Sequence, residues 1–189
     1  GGIFDVRPHA KRAQIGGMLS PMELMEISST IRASRILRNF IEDIEAEGDI
    51  SIPHFVERKE QLPVLTGLQH EINDCIDENG AVLDSASSAL RSIRQSLRSE
   101  EAKVRGKLES LIRGSNAATM LSDAIITIRN DRFVIPVKQE YRGHYGGIVH
   151  DQSSSGQTLF IEPDAVVQAN NEVQRLKVKE QAEIERILL

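Results

Sequence analysis

Ile126-Thr127-Ile128-Arg129-Asn130-Asp131-Arg132-Phe133-Val134-Ile135-Pro136-Val137-Lys138 is the stretch whose reading decides the fold. Apolar residues alternate on both sides of Asn130-Asp131, which is the pattern of two strands joined by a tight turn. Asn-Asp is a weaker hairpin signal than Asn-Gly, but both residues tolerate positive φ. Pro136 cannot donate to a ladder, so the second strand is expected at an edge or a bulge. Four of the seven aromatic residues (Phe133, Tyr141, Tyr145 and Phe160) fall between Ser122 and Pro163. Gly143, Gly146 and Gly147 break the chain before a third strand, Ile148–His150. The polar run Gln152–Gln157 then leads into a fourth, Thr158–Ile161. Four short antiparallel strands are predicted.

Outward from this module the periodicity turns helical. Leu83, Leu90, Leu97, Val104 and Leu111 recur every seven residues, with Ala86 and Ile93 at the second seam position. This heptad pattern predicts a helix to Arg113 of about 45 Å at 1.5 Å per residue. Glu100 and Lys107 interrupt the seam, and one apolar stripe needs a partner. Pro163-Asp164 starts the candidate partner, with Val166, Val173, Ile184 and Ile187 on a seam that also holds Asn170, Lys177 and Glu180. The two helices are expected to run antiparallel with the sheet at their shared tip. Nearer the N-terminus, Asp5-Val6-Arg7-Pro8 starts a short helix that stops at Gly16-Gly17. Ser20-Pro21-Met22-Glu23 forms a capping-box signature for a helix carrying Leu24, Ile27, Ile31, Ile36 and Phe40 to near Gly48. A shorter pair, His54–Glu60 and Leu65–Ile76, follows the Pro53 break, and Asn79-Gly80 closes the region.

The fold class is therefore mainly α with a small antiparallel β module. A helical core segment occupies 1–82, an outgoing lever helix 83–120, a β clamp 121–163 and a returning lever helix 164–189. Helical pattern persists to Leu189 without a stop signal and Gly1 is not an initiator Met, so the chain reads as a piece of a longer protein.

Composition excludes several classes. Net charge is −5, so no global basic signal for nucleic acid exists. The lone Cys75 excludes an internal disulfide framework and fits a reducing, cytoplasmic setting, where it reads as a packed helical thiol. No apolar run reaches the ~18 residues of a membrane span. Ser154-Ser155-Gly156-Gln157-Thr158 lacks the Gly-x4-Gly-Lys-Ser/Thr spacing of a phosphate-cradling loop. His144, His150 and Asp151 lack the spacing of a metal site and read as surface-loop residues. Glu42-Asp43 and Asp77-Glu78 are adjacent on helices and point apart. No nucleophile–base–orienter set is visible, so no catalytic residue is assigned.

Basic residues carry the functional signal. Residues 83–113 hold seven Lys/Arg against four Asp/Glu. Arg91, Arg94, Arg98 and Arg105 share one helical face, which suits either a phosphate track or a solvated coiled-coil flank. In the β module, Arg129, Arg132, Lys138 and Arg142 accompany Tyr141 and Tyr145. That combination suits backbone neutralisation plus stacking, although nearby carboxylates cancel the net charge.

Ile128–Lys138, Tyr141-Arg142, Gly147-Ile148-Val149-His150-Asp151, Ser153–Pro163 and Asn170-Asn171-Glu172 together resemble the bacterial MutS-type-two family. Cys75-Ile76-Asp77, Gly80, Val82-Leu83-Asp84, Ala86-Ser87 and Gly1-Gly2-Ile3 with Asp5 extend the resemblance over essentially the whole chain. It implies the core and clamp of a MutS paralogue that lacks a mismatch-reading domain. It further implies a homodimeric parent with an ATPase domain and a C-terminal small-MutS-related nuclease domain, using ATP and a divalent cation. Branched or double-stranded DNA, suppression of recombination, and the rRNA of collided ribosomes are the implied partners and roles. For this chain itself neither cofactor nor enzymatic activity is implied. The residues fit a clamp around nucleic acid that touches backbone without reading bases; a protein-interaction or dimerisation module remains the alternative.

Overall fold

Local signals set the first helices in a computed structural model that describes residues 2–48 and 62–189. Ser20 Oγ accepts from the Glu23 amide (3.2 Å), Glu23 Oε1 accepts from the Ser20 amide (3.1 Å), and Pro21 occupies the first turn. This capping box starts α2, Pro21–Glu47, which ends at Gly48. The short α1, Arg7–Gln14, precedes it, and α3, Leu62–Cys75, follows. The sequence-predicted helix His54–Glu60 lies outside the described residues. Helix α4 covers Ser88–Ile112, α5 Ala117–Met120, α6 Arg142–Tyr145 and α7 Asp164–Leu188. Strands β1 Thr127–Arg129, β2 Arg132–Lys138, β3 Ile148–Gln152 and β4 Thr158–Glu162 form one antiparallel sheet in the order β1-β2-β4-β3. The chain is thus mainly α with a four-stranded sheet, as its periodicities predict.

Two compact units are present: Gly1–Arg91 with Glu183–Leu189, and Ser92–Ala182. In the first, α2 packs on α3 through Ile31 and Ile72, and buried Ser28 donates to Asn73 (2.7 Å). Asp77 Oδ1 accepts from the amides of Asn79 and Ala81, which shapes the turn closed by the Ile76–Val82 bridge. Ser87 caps α4 by accepting from the Leu90 amide (3.0 Å) and donates to Glu183 (2.9 Å). The apolar stripe of α2 is buried only in part: Ile31 is covered, whereas Ile36 and Phe40 are 56% and 61% exposed.

In the second unit, Arg94 pairs with Glu180 (3.1 Å) and Lys107 donates to the Ala165 carbonyl (3.3 Å), so α4 and α7 run antiparallel here. Their seam differs from strict heptads. Lys177 is exposed, and Leu176 takes the buried position after Val173. Phe133, Ile135 and Val137 of β2 and Leu159 and Ile161 of β4 alternate onto one face. They share a core with Val104, Leu108, Val166 and Val173.

Asn130 (φ 51°) and Asp131 (φ 59°) form the two-residue turn between Arg129 and Arg132, as the hairpin reading requires. Pro136 corrects its expectation, because β2 is an inner strand. Its neighbours are staggered: β1 pairs only with 132–134, and β4 with 135–138. On the side away from β4, Pro136 offers its carbonyl to the Ser122 amide (3.0 Å), and the missing N–H falls where β1 has already ended.

A buried carboxylate joins these pieces. Glu162, fully inaccessible, accepts from Arg132 Nε (2.8 Å), Asn170 Nδ2 (2.8 Å) and His150 Nε2 (3.1 Å). Arg132 Nη2 lies 2.6 Å from Glu162 Oε2. Asn170 also donates to the Phe133 carbonyl (3.3 Å) and Arg132 to that of Val167 (3.4 Å). The register shift between Val149 and Asp151 makes His150 the extra residue of β3, and its ring turns to Glu162 rather than to solvent. Gly147 (φ 79°) permits this closeness, since a Cβ there would overlap the Glu162 carbonyl oxygen.

Removing one partner from a buried ion pair strands the other charge, so Arg132→Ala is expected to cost about 3 kcal/mol. Urea unfolding reads this as a lower midpoint at unchanged slope. Arg142→Ala, exposed and unpaired among the described residues, should stay within about 0.5 kcal/mol of the parent.

Candidate nucleic-acid interface

Charge is unevenly divided. The unit Ser92–Ala182 carries thirteen Lys/Arg against eleven Asp/Glu, a net of +2. The remainder carries ten against seventeen, a net of −7. The acidity of the whole chain therefore hides a mildly basic β-containing unit.

Within that unit the candidate basic residues are used in different ways. Arg132 is committed to Glu162, with its side chain only 14% exposed. Arg94 is half-buried against Glu180 of α7, so the α4 arginine face is partly used to join the helices. Arg98 is exposed on the same face, while Arg91 belongs to the other compact unit.

Around the β1–β2 hairpin, Arg129 stacks on Phe160 with its guanidinium carbon 4.3 Å from the ring centroid. Its Nε donates to Asp151 (3.1 Å), and its Nη1 donates to Thr127 Oγ1 (3.1 Å) and the Ile128 carbonyl (2.9 Å). Arg105 of α4 lies 5.7 Å from the Phe133 ring and makes no ion pair among the described residues. A cleft of about 330 Å³ opens there, lined by Arg105, Ile126, Thr127, Ile128 and Phe133. At the opposite end of β2, Lys138 and Arg142 also lack ion pairs among the described residues, and Tyr141 is half-buried between them in sequence. Six residues of strand separate Arg132 from Lys138, about 20 Å at ~3.3 Å each, so these side chains form two clusters rather than one patch.

Tyr145 is a core residue. It is 9% exposed, belongs to the cluster around Val137 and Leu159, and meets the His144 ring edge-on (4.9 Å between centroids). Burial pushes its phenol above the ordinary value near 10. The cleft and the Glu162 network were both missed by sequence reasoning. Local sequence held no signal for the latter: Glu162 alternates with the half-exposed Thr158 and Phe160, and its burial comes from partners on β2, β3 and α7.

No family model matches the chain. It is 62% identical over 188 residues to "Endonuclease MutS2" of Geobacillus sp. (strain WCH70). It is 60% identical to the protein of that name in Halalkalibacterium halodurans, and 56% identical to "Putative endonuclease MutS2" of Bacillus subtilis (strain 168). Each match covers 100% of this chain and 24% of the relative, so the chain spans about a quarter of the length of these curated relatives.

The neutral phenol of Tyr145 is favoured by folding. That stabilisation is complete below pH 10 and is lost as pH rises through the raised value. A phenolate absorbance titration should show a late component that disappears in Tyr145→Phe; its persistence in the variant would contradict the burial.

Proposed function

The chain belongs to the MutS2 family along its whole length, and from that premise we propose that it grips nucleic acid through the phosphate backbone without reading base sequence. The observation that carries this reading is the segregation of charge, which leaves the β-containing unit at +2 in a chain of −5. Arg105, Lys138 and Arg142 supply cations that are not neutralised by carboxylates among the described residues. Branched or double-stranded DNA is the proposed ligand, with suppression of recombination as the role. rRNA of collided ribosomes is a second ligand that the same backbone chemistry accommodates. We assign α4 and α7 the part of lever arms within a cytoplasmic homodimer.

Cleavage, which the relatives' names denote, is assigned to the three quarters of their length that this chain does not span. The same holds for ATP and a divalent cation. Among the described residues no three His, Cys, Asp or Glu side chains converge to hold a metal. Among the same residues, no helix is long and apolar enough to cross a membrane.

A second reading is favoured by α2, whose Ile36, Leu37, Phe40 and Ile44 are exposed. A surface of that kind suits a protein partner or a second subunit without nucleic-acid contact.

Salt dependence separates the two. Binding to duplex DNA should weaken linearly on a log–log salt plot, and Arg105→Ala, Lys138→Ala and Arg142→Ala should each reduce the slope by about one. Unchanged slopes in all three would overturn the assignment. Concentration-dependent self-association without nucleic-acid binding would establish the second reading.

A further inference from the structure

The cleft beside β1 has a chemistry that phosphate contact does not use. Two of its walls are apolar, from Ile126 and Ile128 of the strand segment and the Phe133 ring. Ile128 is 54% exposed although it lies on the Phe133 side of the hairpin. The third wall is the Arg105 guanidinium, a planar donor fork with no carboxylate partner among the described residues. Arg129 and Arg132 flank the two-residue turn and exchange the hydrogen bonds of the narrow pair, so Ile128 turns its N–H and carbonyl away from β2. The carbonyl is taken by Arg129 Nη1 (2.9 Å), while the N–H stays open on the strand edge. At about 330 Å³ the space is at the small end of ligand sites, suited to one planar ring system.

We propose that this cleft receives a single unpaired nucleobase, so that the chain prefers nucleic acid containing an unstacked nucleotide over a fully paired duplex. The inference rests on the nucleic-acid reading above and sharpens it. An unpaired base brings a flat apolar face, which Ile126, Ile128 and Phe133 can cover, and a polar edge, which Arg105 and the Ile128 N–H can meet. Its adjoining phosphate would meet Arg129, whose side chain is 37% exposed and reaches the β1 edge at the Ile128 carbonyl (2.9 Å). A paired base hides its faces in the stack and offers none of this.

The test uses the whole 189-residue chain and two duplexes that differ only in one 2-aminopurine, either paired or extruded as a single-nucleotide bulge. The bulged probe should bind on the order of tenfold more tightly, in line with the stacking of one base, and only its emission should change on binding. Ile128→Asn, an exposed neutral change, and Arg105→Lys, which keeps charge but loses the planar fork, should each bring the affinity ratio close to one. Unfolding curves of both variants confirm that the fold is retained. Equal binding of the two probes by the parent chain, or a ratio preserved in both variants, overturns the base site while leaving backbone binding standing. Binding of neither probe overturns the base site and the nucleic-acid reading together.

Discussion

The second unit depends on one buried carboxylate. Glu162 is out of contact with solvent, and an isolated ionised carboxylate there would carry a desolvation cost of several kcal/mol. Three donors from three elements offset it: Arg132 from β2, His150 from β3 and Asn170 from α7. Such a network adds less stability than well-packed hydrocarbon would, but it tolerates few alternative arrangements. A one-residue slip of β2 would turn Arg132 to the opposite face, and a different docking of α7 would withdraw Asn170. Strand register and helix position are therefore specified together.

That coupling determines which cations are available for function. Arg132 and Arg94 hold the architecture, and Arg129 is fixed by Asp151, the Phe160 ring and two neighbouring oxygens. Arginines that look alike in sequence divide into those that build the surface and those that are presented by it. Arg129 does both: its anchoring contacts orient the guanidinium beside the open β1 edge and restrict the freedom that a ligand would otherwise have to quench.

Features set within a few residues were legible in the sequence. The Ser20–Glu23 capping box, the Asn130-Asp131 turn and the Pro163-Asp164 helix start depend on local backbone geometry, and each is found where the residues imply it. The heptad seam was legible as far as Leu90 and Val104, because leucine and valine repeating at that spacing place one apolar stripe along a helix, and such a stripe has to be buried. Reading failed where distant segments converge. Nothing local distinguishes Arg132, which is half-buried against Glu162, from Arg142, which is exposed; nor does anything mark His150 as the inserted residue of a bulge. Tyr145 resembled a loop aromatic because the core cluster it joins, with Val137 and Leu159, is assembled by the sheet. Pro136 misled for a related reason: its tolerance depends on how far β1 extends, which the Leu121–Ser122 segment decides.

Net charge misleads in the same way when taken over the whole chain. At physiological ionic strength a charge is felt over about 8 Å, so a polyanion responds to the residues near its path and not to a total summed over 189 positions. A value of −5 is thus compatible with a cationic surface wherever acidic side chains are concentrated in another unit, as they are here with −7 outside Ser92–Ala182. Under the proposed nucleic-acid reading, a modest local excess also permits release. Strong uniform basicity would hold any polyanion, whereas a few unpaired cations in two clusters give backbone affinity that salt and geometry can still reverse. On that reading, discrimination among nucleic-acid shapes has to come from something other than charge, and in this unit the apolar edge of β1 beside Arg105 is the feature that differs in chemistry from a phosphate contact.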